Sequence, residues 1–565
     1  GSTAGESDIT NDRGGRTTFA DAGTTAGTSD ITNERGGRTS FSSGSTADHS
    51  TIANQTGGRT TFAGTGTTAG SSHISNQTGG STAFYWGSDA GSSHISNADG
   101  GGTTFNDNSS ASLASISNKS GGNTTFNDWS SAGAAKISNT LGGSTAFNDR
   151  SNAGDAKISN IAGSTAFNDR SSAGSATIGN TLGGSTAFND RSNAGDAKIS
   201  NIAGSTAFND RSSAGSATIG NTLGGSTAFN DRSNAGDAKI SNTLGGSTAF
   251  NDWSNAGGAT ITNVALGSTQ FSDRSDAGHA TINNGALGGT SFGDHSSAGR
   301  ATITNTTLGS TTFNDRSSAD RATIDNNGGS TSFKDDSSAG RATITNENRG
   351  GTTFSGDSSA GRADITNGNR GSTTFNGNST AGRAHITNET RGSTTFNNGT
   401  DAGWARIDNE GGSTTFNNGS SAKHALIANT DDGSTTFNGG STADHAFIYN
   451  ADGGGTTFQS NSTSQLATAG QAFIYNGDDG VTTFTGTGAT AGNAFIVNAD
   501  PGLTIFNNGA NAGDALVFNT DGGQTKFSDT GTSAASSHIV NVAGGSTSFD
   551  TQSTAGDSTI TNVYG

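Results

Sequence analysis

The chain has 565 residues, of which 90 are glycine, one is proline and none is cysteine or methionine; hydrophobic residues make up 28% and the formal net charge is −18. That acidity argues against a nucleic-acid partner, which needs basic surface to displace phosphate counterions, and the missing cysteine excludes disulfides, thiolate metal sites and a cysteine nucleophile. No apolar run approaches the roughly 20 residues that cross a bilayer as a helix, so no membrane insertion by this segment is expected.

So low an apolar content raises the question of disorder. The answer lies in how regularly the few large apolar residues recur. Isoleucine falls at Ile9, Ile31, Ile52, Ile74 and onward to Ile560, giving 27 origins with Val517 as the one substitute. A phenylalanine follows nine or ten residues after each origin, 26 times from Phe19 to Phe549, and the period is about 21 residues, a solenoid length.

Around each origin four more positions hold: asparagine two residues after it (Asn11, Asn160, Asn284), alanine or serine two before it (Ala156, Ser72), alanine five before it (Ala4, Ala153), and threonine two before each phenylalanine (Thr17, Thr165). Spacings of two place side chains on one face of a strand. Each coil therefore reads as two short strands, [AS]-x-I-x-N and T-x-F, both facing inward. Gly-Gly or Asp-Gly pairs join them and supply positive-φ turn positions. A polar turn such as NDRSSAG leads back. No 3.6-residue apolar stripe is present, so helix is not expected.

One coil buries too little to offset chain entropy; stacking does. The predicted fold is an all-β parallel β-helix (β-solenoid), a single continuous body over 1–565, with strands paired in parallel at about 4.8 Å and 27 coils spanning on the order of 130 Å. In the middle of it, Ile137, Ile158 and Ile178 form one ladder, Phe147, Phe167 and Phe188 a second, and Asn139, Asn160 and Asn180 a third. The buried amides of that third ladder must find partners, and stacked asparagines pass an N–H to the carbonyl of the next coil. These are structural ladders, with no catalytic, cofactor-binding or metal residue expected among them.

In chain order, the first departure from the repeat is Trp86, followed by Trp129, Trp253 and Trp404; they do not share one row, and they are weak candidates for contact with surface glycans. Residues 148–188 and 189–229 are identical, a two-coil duplication that a rod tolerates and a catalytic site of fixed geometry does not. Arg150, Arg170, Arg191, Arg211 and Arg232 make one charged row, each preceded by an aspartate, and Arg300, Arg321, Arg341, Arg362 and Arg383 make another. Both read as solvated faces in which aspartates offset repulsion; a polyanion stripe is the alternative.

Thr353, Thr374, Thr395, Thr415 and Thr436 make an outward row that could match a lattice such as ice. The row changes to alanine over Ala146–Ala249 and breaks at Gln270, Ile505 and Lys526. Asp431, Asp432, Asp452, Asp478, Asp479, Asp500 and Asp521 gather in later Gly-rich turns. Calcium needs roughly six to eight converging oxygens, and the nonapeptide calcium repeat is not in register, so these read as turn residues. No cofactor is expected, with calcium as the alternative. The turn at 459–471 is longer than its counterparts and reads as a tolerated bulge or a recognition loop. His73 and His94 lack metal spacing, and the sequon Asn378-Ser379-Thr380 is of a kind expected by chance. Both ends are fragments of the repeat, which suggests a longer precursor.

The coils G-G-S-T-T-F-N-x-x-S-x-A-G-x-A-x-I-x-N resemble those of repetitive bacterial cell-surface proteins of the autotransporter-passenger and filamentous-adhesin type. That resemblance implies export, an extracellular shaft and an adhesive, biofilm or surface-coat role, with no catalytic residues to carry over. Some parallel β-helices are polysaccharide lyases or hydrolases, but those converge carboxylates in a cleft, whereas here aspartates merely repeat. The chain is therefore expected to be a non-enzymatic structural or adhesive rod. A filament subunit that self-associates end to end or side by side is the first alternative, and an ice- or polysaccharide-binding solenoid the second.

Overall fold

A computed structural model describes residues 1–460 and 464–563. The chain divides into two compact units, Gly1–Thr281 and Ile282–Gly565, and both are built alike. Among the described residues there are 53 strands of four or five residues and no helix. Each coil contributes one strand with the repeat's isoleucine as its second residue (the Ile strand, such as Lys157–Ile161) and one ending on or just past the phenylalanine (the Phe strand, such as Ser164–Phe167). Coils of about 21 residues stack so that Ile strands pair in parallel with Ile strands and Phe strands with Phe strands. The fold is an all-β parallel β-solenoid.

The register follows the sequence pattern. Ile137 pairs with Ile158 and Ile158 with Ile178, while Phe147 pairs with Phe167 and Phe167 with Phe188. The phenylalanine rings stack at 4.7 Å with planes 5° apart, which is the strand spacing imposed on the side chains. Strand residues alternate buried and accessible, as in the pattern iBiB of Ser164–Phe167, so the isoleucine, phenylalanine, threonine and asparagine of each coil face inward. A third parallel contact lies in the polar turn, where single residues such as Ser131, Asn152 and Ser172 bridge from coil to coil.

The two turn glycines do different jobs. Gly183 has φ +80 and open space where a Cβ would sit, whereas Gly184 has an ordinary φ, and a Cβ there would lie 2.0 Å from the carbonyl oxygen of Asn160 in the preceding coil. The first serves the left-handed turn; the second lets one coil's backbone seat on the one before. The expectation that the glycine pair supplies positive φ therefore holds for its first member only.

Candidate functional site

The inward ladders form a closed hydrogen-bond network. Asn139 Nδ2 donates to Asn160 Oδ1 at 2.8 Å, and Asn160 Nδ2 donates to Asn180 Oδ1 at 2.7 Å. Each amide also donates to the threonine of the next coil's Phe strand, Asn139 to Thr165 Oγ1 at 3.2 Å, while Thr145 Oγ1 donates to Asn139 Oδ1 at 2.9 Å within the coil. The asparagine column thus ties the two sheets together, and its partner is the threonine two residues before the phenylalanine. Asn139, Asn160 and Asn180 are fully buried, as are Phe147, Phe167, Phe188 and Ile178; Ile137 and Ile158 are nearly so. The asparagine and threonine groups of this network are paired with one another, while a separate inward column of serine hydroxyls, including Ser130, Ser151 and Ser171, is buried without a hydrogen-bond partner among the described residues.

A second amide ladder, not anticipated, runs through the polar turn. Asn148 Nδ2 donates to Asn127 Oδ1 and Asn168 Nδ2 to Asn148 Oδ1, at 2.9 and 2.8 Å. It donates toward the preceding coil, whereas the buried ladder donates toward the following one. The asparagine that follows each phenylalanine in N-D-R was its signal.

Trp86, Trp129, Trp253 and Trp404 are all more than half exposed. Two of them share a row after all: Trp129 and Trp253 stand three residues after Phe126 and Phe250, as Arg150 to Arg232 stand after their own phenylalanines. The Arg150 guanidinium lies 5.0 Å from the Trp129 ring centre and that of Arg274 5.1 Å from Trp253, cation–π distances. Among the described residues Arg150, Arg170, Arg191, Arg211 and Arg232 make no ion pair within 4.0 Å; aspartates and arginines instead line a shallow cleft that includes Asp149, Arg150, Asp169 and Arg170. Trp404 stacks on His424 at 4.3 Å. Arg321, Arg341 and Arg362 line a second open groove.

Asp431, Asp432, Asp452, Asp478, Asp479, Asp500 and Asp521 all take left-handed backbone with φ between 45 and 62°, the conformation a turn asks of Asp, Asn or Gly. Among the described residues no three His, Asp or Glu side chains are grouped as metal ligands. His73 and His94 are exposed and stack in register at 5.0 Å. Thr353, Thr374, Thr395, Thr415 and Thr436 pair in register on the outer face. Of the long turn 459–471, residues 461–463 lie outside the described residues; Ser460 anchors its base, Oγ donating to the Gln465 carbonyl at 3.0 Å and accepting from the Ala467 N–H at 2.7 Å.

Two exposed apolar features escaped the sequence reading. One is a set of turn-tip leucines in the first unit, Leu141, Leu182, Leu223, Leu244 and Leu266, each more than half exposed. The other lies in the second unit, on the outer face of the Ile strands from Leu426 to Val540. There the position before the isoleucine carries Leu426, Phe447, Phe473, Phe495 and Leu516 in register. The position after it carries Tyr449, Tyr475, Val497 and Phe518 in the same coils. Phe447 stacks on Phe473 at 5.0 Å with planes 8° apart, and Tyr449 on Tyr475 at 5.5 Å with planes 5° apart. Partial burial, with Asp478, Tyr475 and Asp452 adding to it, raises the pKa of the Tyr449 phenol. The signal was in A-F-I-Y-N and A-F-I-V-N, where alternation fails and every strand residue but the asparagine is apolar.

No family model matches the chain, and no curated protein matches it. A solved structure similar to it is the crystal structure of a TibC-catalysed hyper-glycosylated fragment of TibA, with 17% sequence identity and a TM-score of 0.24, covering 67% of this chain and 97% of that one. At that score the likeness carries no further argument. What stands is a β-solenoid repeat protein.

Proposed function

We propose that this chain is a shaft segment of an extracellular structural or adhesive protein of a bacterial surface, with no catalytic role. The observation that carries the reading is the interior: within each unit coil after coil repeats the same isoleucine, phenylalanine and asparagine–threonine ladders, with Val517 the one substitute for isoleucine. A catalytic centre needs a few groups set apart from such a pattern; a shaft needs the pattern repeated. The two-coil duplication fits the same reading, since added coils lengthen a shaft without altering its geometry.

Immunolabelling and protease shaving of intact cells test the location, and electron microscopy of the purified chain tests the shape. The expected results are surface label and slender particles. Label confined to the cytoplasm, or cleavage of a polysaccharide substrate by the purified chain, overturns the reading. The outward threonine column supports a second one, binding to an ordered array of hydroxyls or ice, which thermal hysteresis measured on the same sample decides.

A further inference from the structure

We infer that the outer face of the Ile strands between Leu426 and Phe518 is a self-association surface, on which the same face of a second copy of this chain packs with both chains running in the same direction. A strand with one face on the core and one in water alternates apolar and polar residues, while a strand buried on both faces reads as a continuous apolar run. Phe447-Ile448-Tyr449, Phe495-Ile496-Val497 and Leu516-Val517-Phe518 are of the second kind, yet only Ile448, Ile496 and Val517 are covered.

The patch is bounded. On one side stands a charged cluster in which Asp408 accepts from Arg406 Nε at 2.8 Å and meets His385 Nε2 at 2.8 Å, with Asp364 Oδ1 3.5 Å from His385 Nδ1. On the other side the column ends at His538, paired with Leu516. An apolar centre inside a polar rim is the anatomy of an interface.

The chemistry of the face selects the occupant. A sugar ring stacks on an open aromatic face, but Phe447 against Phe473 and Tyr449 against Tyr475 cover one another and offer their edges. An added peptide strand needs a free sheet edge, and these strands are hydrogen-bonded through their ladders. Phe495 is turned 77° from Phe473 at 5.3 Å and ends the stacked part of the row. What fits the two stacked pairs, with edges at about 5 Å pitch, is another sheet with the same pitch, packed face to face. The surface with that pitch and that apolar content is this face on a second copy, an isologous pair.

Charge selects the direction. The turns at the C-terminal end of these strands carry Asp431, Asp432, Asp452, Asp478, Asp479, Asp500 and Asp521, while the N-terminal ends carry Lys423, His424, Asp444, His445, Gln471, Asn493 and Asp514. Chains running in opposite directions would set the two aspartate edges against each other, which like charges oppose; chains running the same way set each aspartate edge against the nearly neutral one. Five strands of about four residues cover roughly 24 by 13 Å, a core smaller than the ~800 Å² per partner of a standard interface, so the pair is expected to be weak, in the micromolar range.

Sedimentation velocity of the full chain over a concentration series tests this. The wild type is expected to shift from monomer to dimer across roughly 1–100 µM, and F447T/F473T/F495T to remain monomeric. Threonine holds the same slot at Thr302, Thr323 and Thr343, so the variant should fold, with circular dichroism as the check; should it not, Phe473→Lys, after Lys157 and Lys198, is the second variant and is expected to weaken the dimer at least tenfold. L141N/L182N/L223N, which alters the other exposed apolar set, is expected to leave the dimer unchanged. A monomeric wild type, a dimer that survives the threonine substitutions, or one abolished by the asparagine substitutions overturns the assignment. Because the chain has no cysteine, a spin label at Thr343→Cys reads the direction: labels within about 30 Å support it, and labels near 60 Å, about twelve coil rises apart, overturn it.

Discussion

Residues 136–243 in the first unit and 426–519 in the second share the same isoleucine, phenylalanine and asparagine–threonine ladders and have opposite exteriors. Inside they differ at Val517 and where the buried serines Ser151, Ser171 and Ser192 give way to Ala467, Ala489 and Ala510. In the first stretch the slots flanking the isoleucine hold Lys136 and Ser138, Lys157 and Ser159, Thr177 and Gly179; in the second they hold Phe447 and Tyr449, Phe473 and Tyr475, Leu516 and Phe518. The inward asparagine makes the same amide-to-amide bond in both, Asn160 to Asn180 at 2.7 Å and Asn450 to Asn476 at 2.7 Å, and the same bond to the next coil's threonine. Fold in this molecule is therefore written on one alternation of the strand, and whatever distinguishes one stretch from another is written on the other.

The sharpest way to break that comparison is from the inside. Phe188→Ala and Phe484→Ala each remove a fully buried ring from a stack and should each lower stability by about 3–5 kcal/mol. Asn180→Ala and Asn450→Ala should follow at about 2–4 kcal/mol, because each leaves buried amide and hydroxyl partners unpaired. Hydrogen exchange of the neighbouring coils is the measurement, since a solenoid loses stability locally. If the two regions respond unequally, the interiors are not equivalent and the division between inward and outward roles fails.

The turns offer a test of intermediate size. Gly184→Ala drives a Cβ into the Asn160 carbonyl and should destabilise by several kcal/mol, while Gly183→Ala meets open space and should lose only about 1 kcal/mol to left-handed backbone. Leu182 has φ 49° and is 73% exposed, so Leu182→Asn should gain about 0.5–1 kcal/mol. Thermal unfolding of the three variants ranks them. A leucine kept where asparagine would be more stable points to a role outside the coil.

The interior was legible in the sequence because it obeys a rule with few exceptions, Val517 and the long turn at 459–471 among them: period two within a strand, about 21 between coils. The pairing of the asparagine with the threonine was not, although both positions were evident, because their separation of five or six residues crosses a turn whose path the sequence does not state. The exterior was harder to read. Leu141, Leu182 and Leu223 sit in a turn that pattern analysis treats as polar spacer, and the row shared by Trp129, Arg150 and Trp253 emerges only when turns of unequal length are aligned on their phenylalanines. The aromatic face was missed for the opposite reason: its phenylalanines and tyrosines look like core residues until the core is seen to be full without them.

The smallest effect sharpens the comparison from the outside. Tyr449 is one of the side chains that make the second region apolar, and burial first, then the charges of Asp478, Tyr475 and Asp452, raise its pKa above the ordinary value of 10.0. In the unfolded chain the phenol ionises near that ordinary value, so between it and the folded pKa the unfolded state has lost a proton that the native state keeps. Stability from this group is complete below pH 10 and declines as the pH rises through that window. Absorbance of the phenolate, compared between wild type and Tyr449→Phe, should assign to Tyr449 an ionisation later than that of a free phenol. Packing of a second copy on the face buries Tyr449 further, so its ionisation should move higher still as protein concentration rises, and should stop moving in F447T/F473T/F495T. A titration independent of concentration in the wild type would separate the aromatic character of this face from any partner.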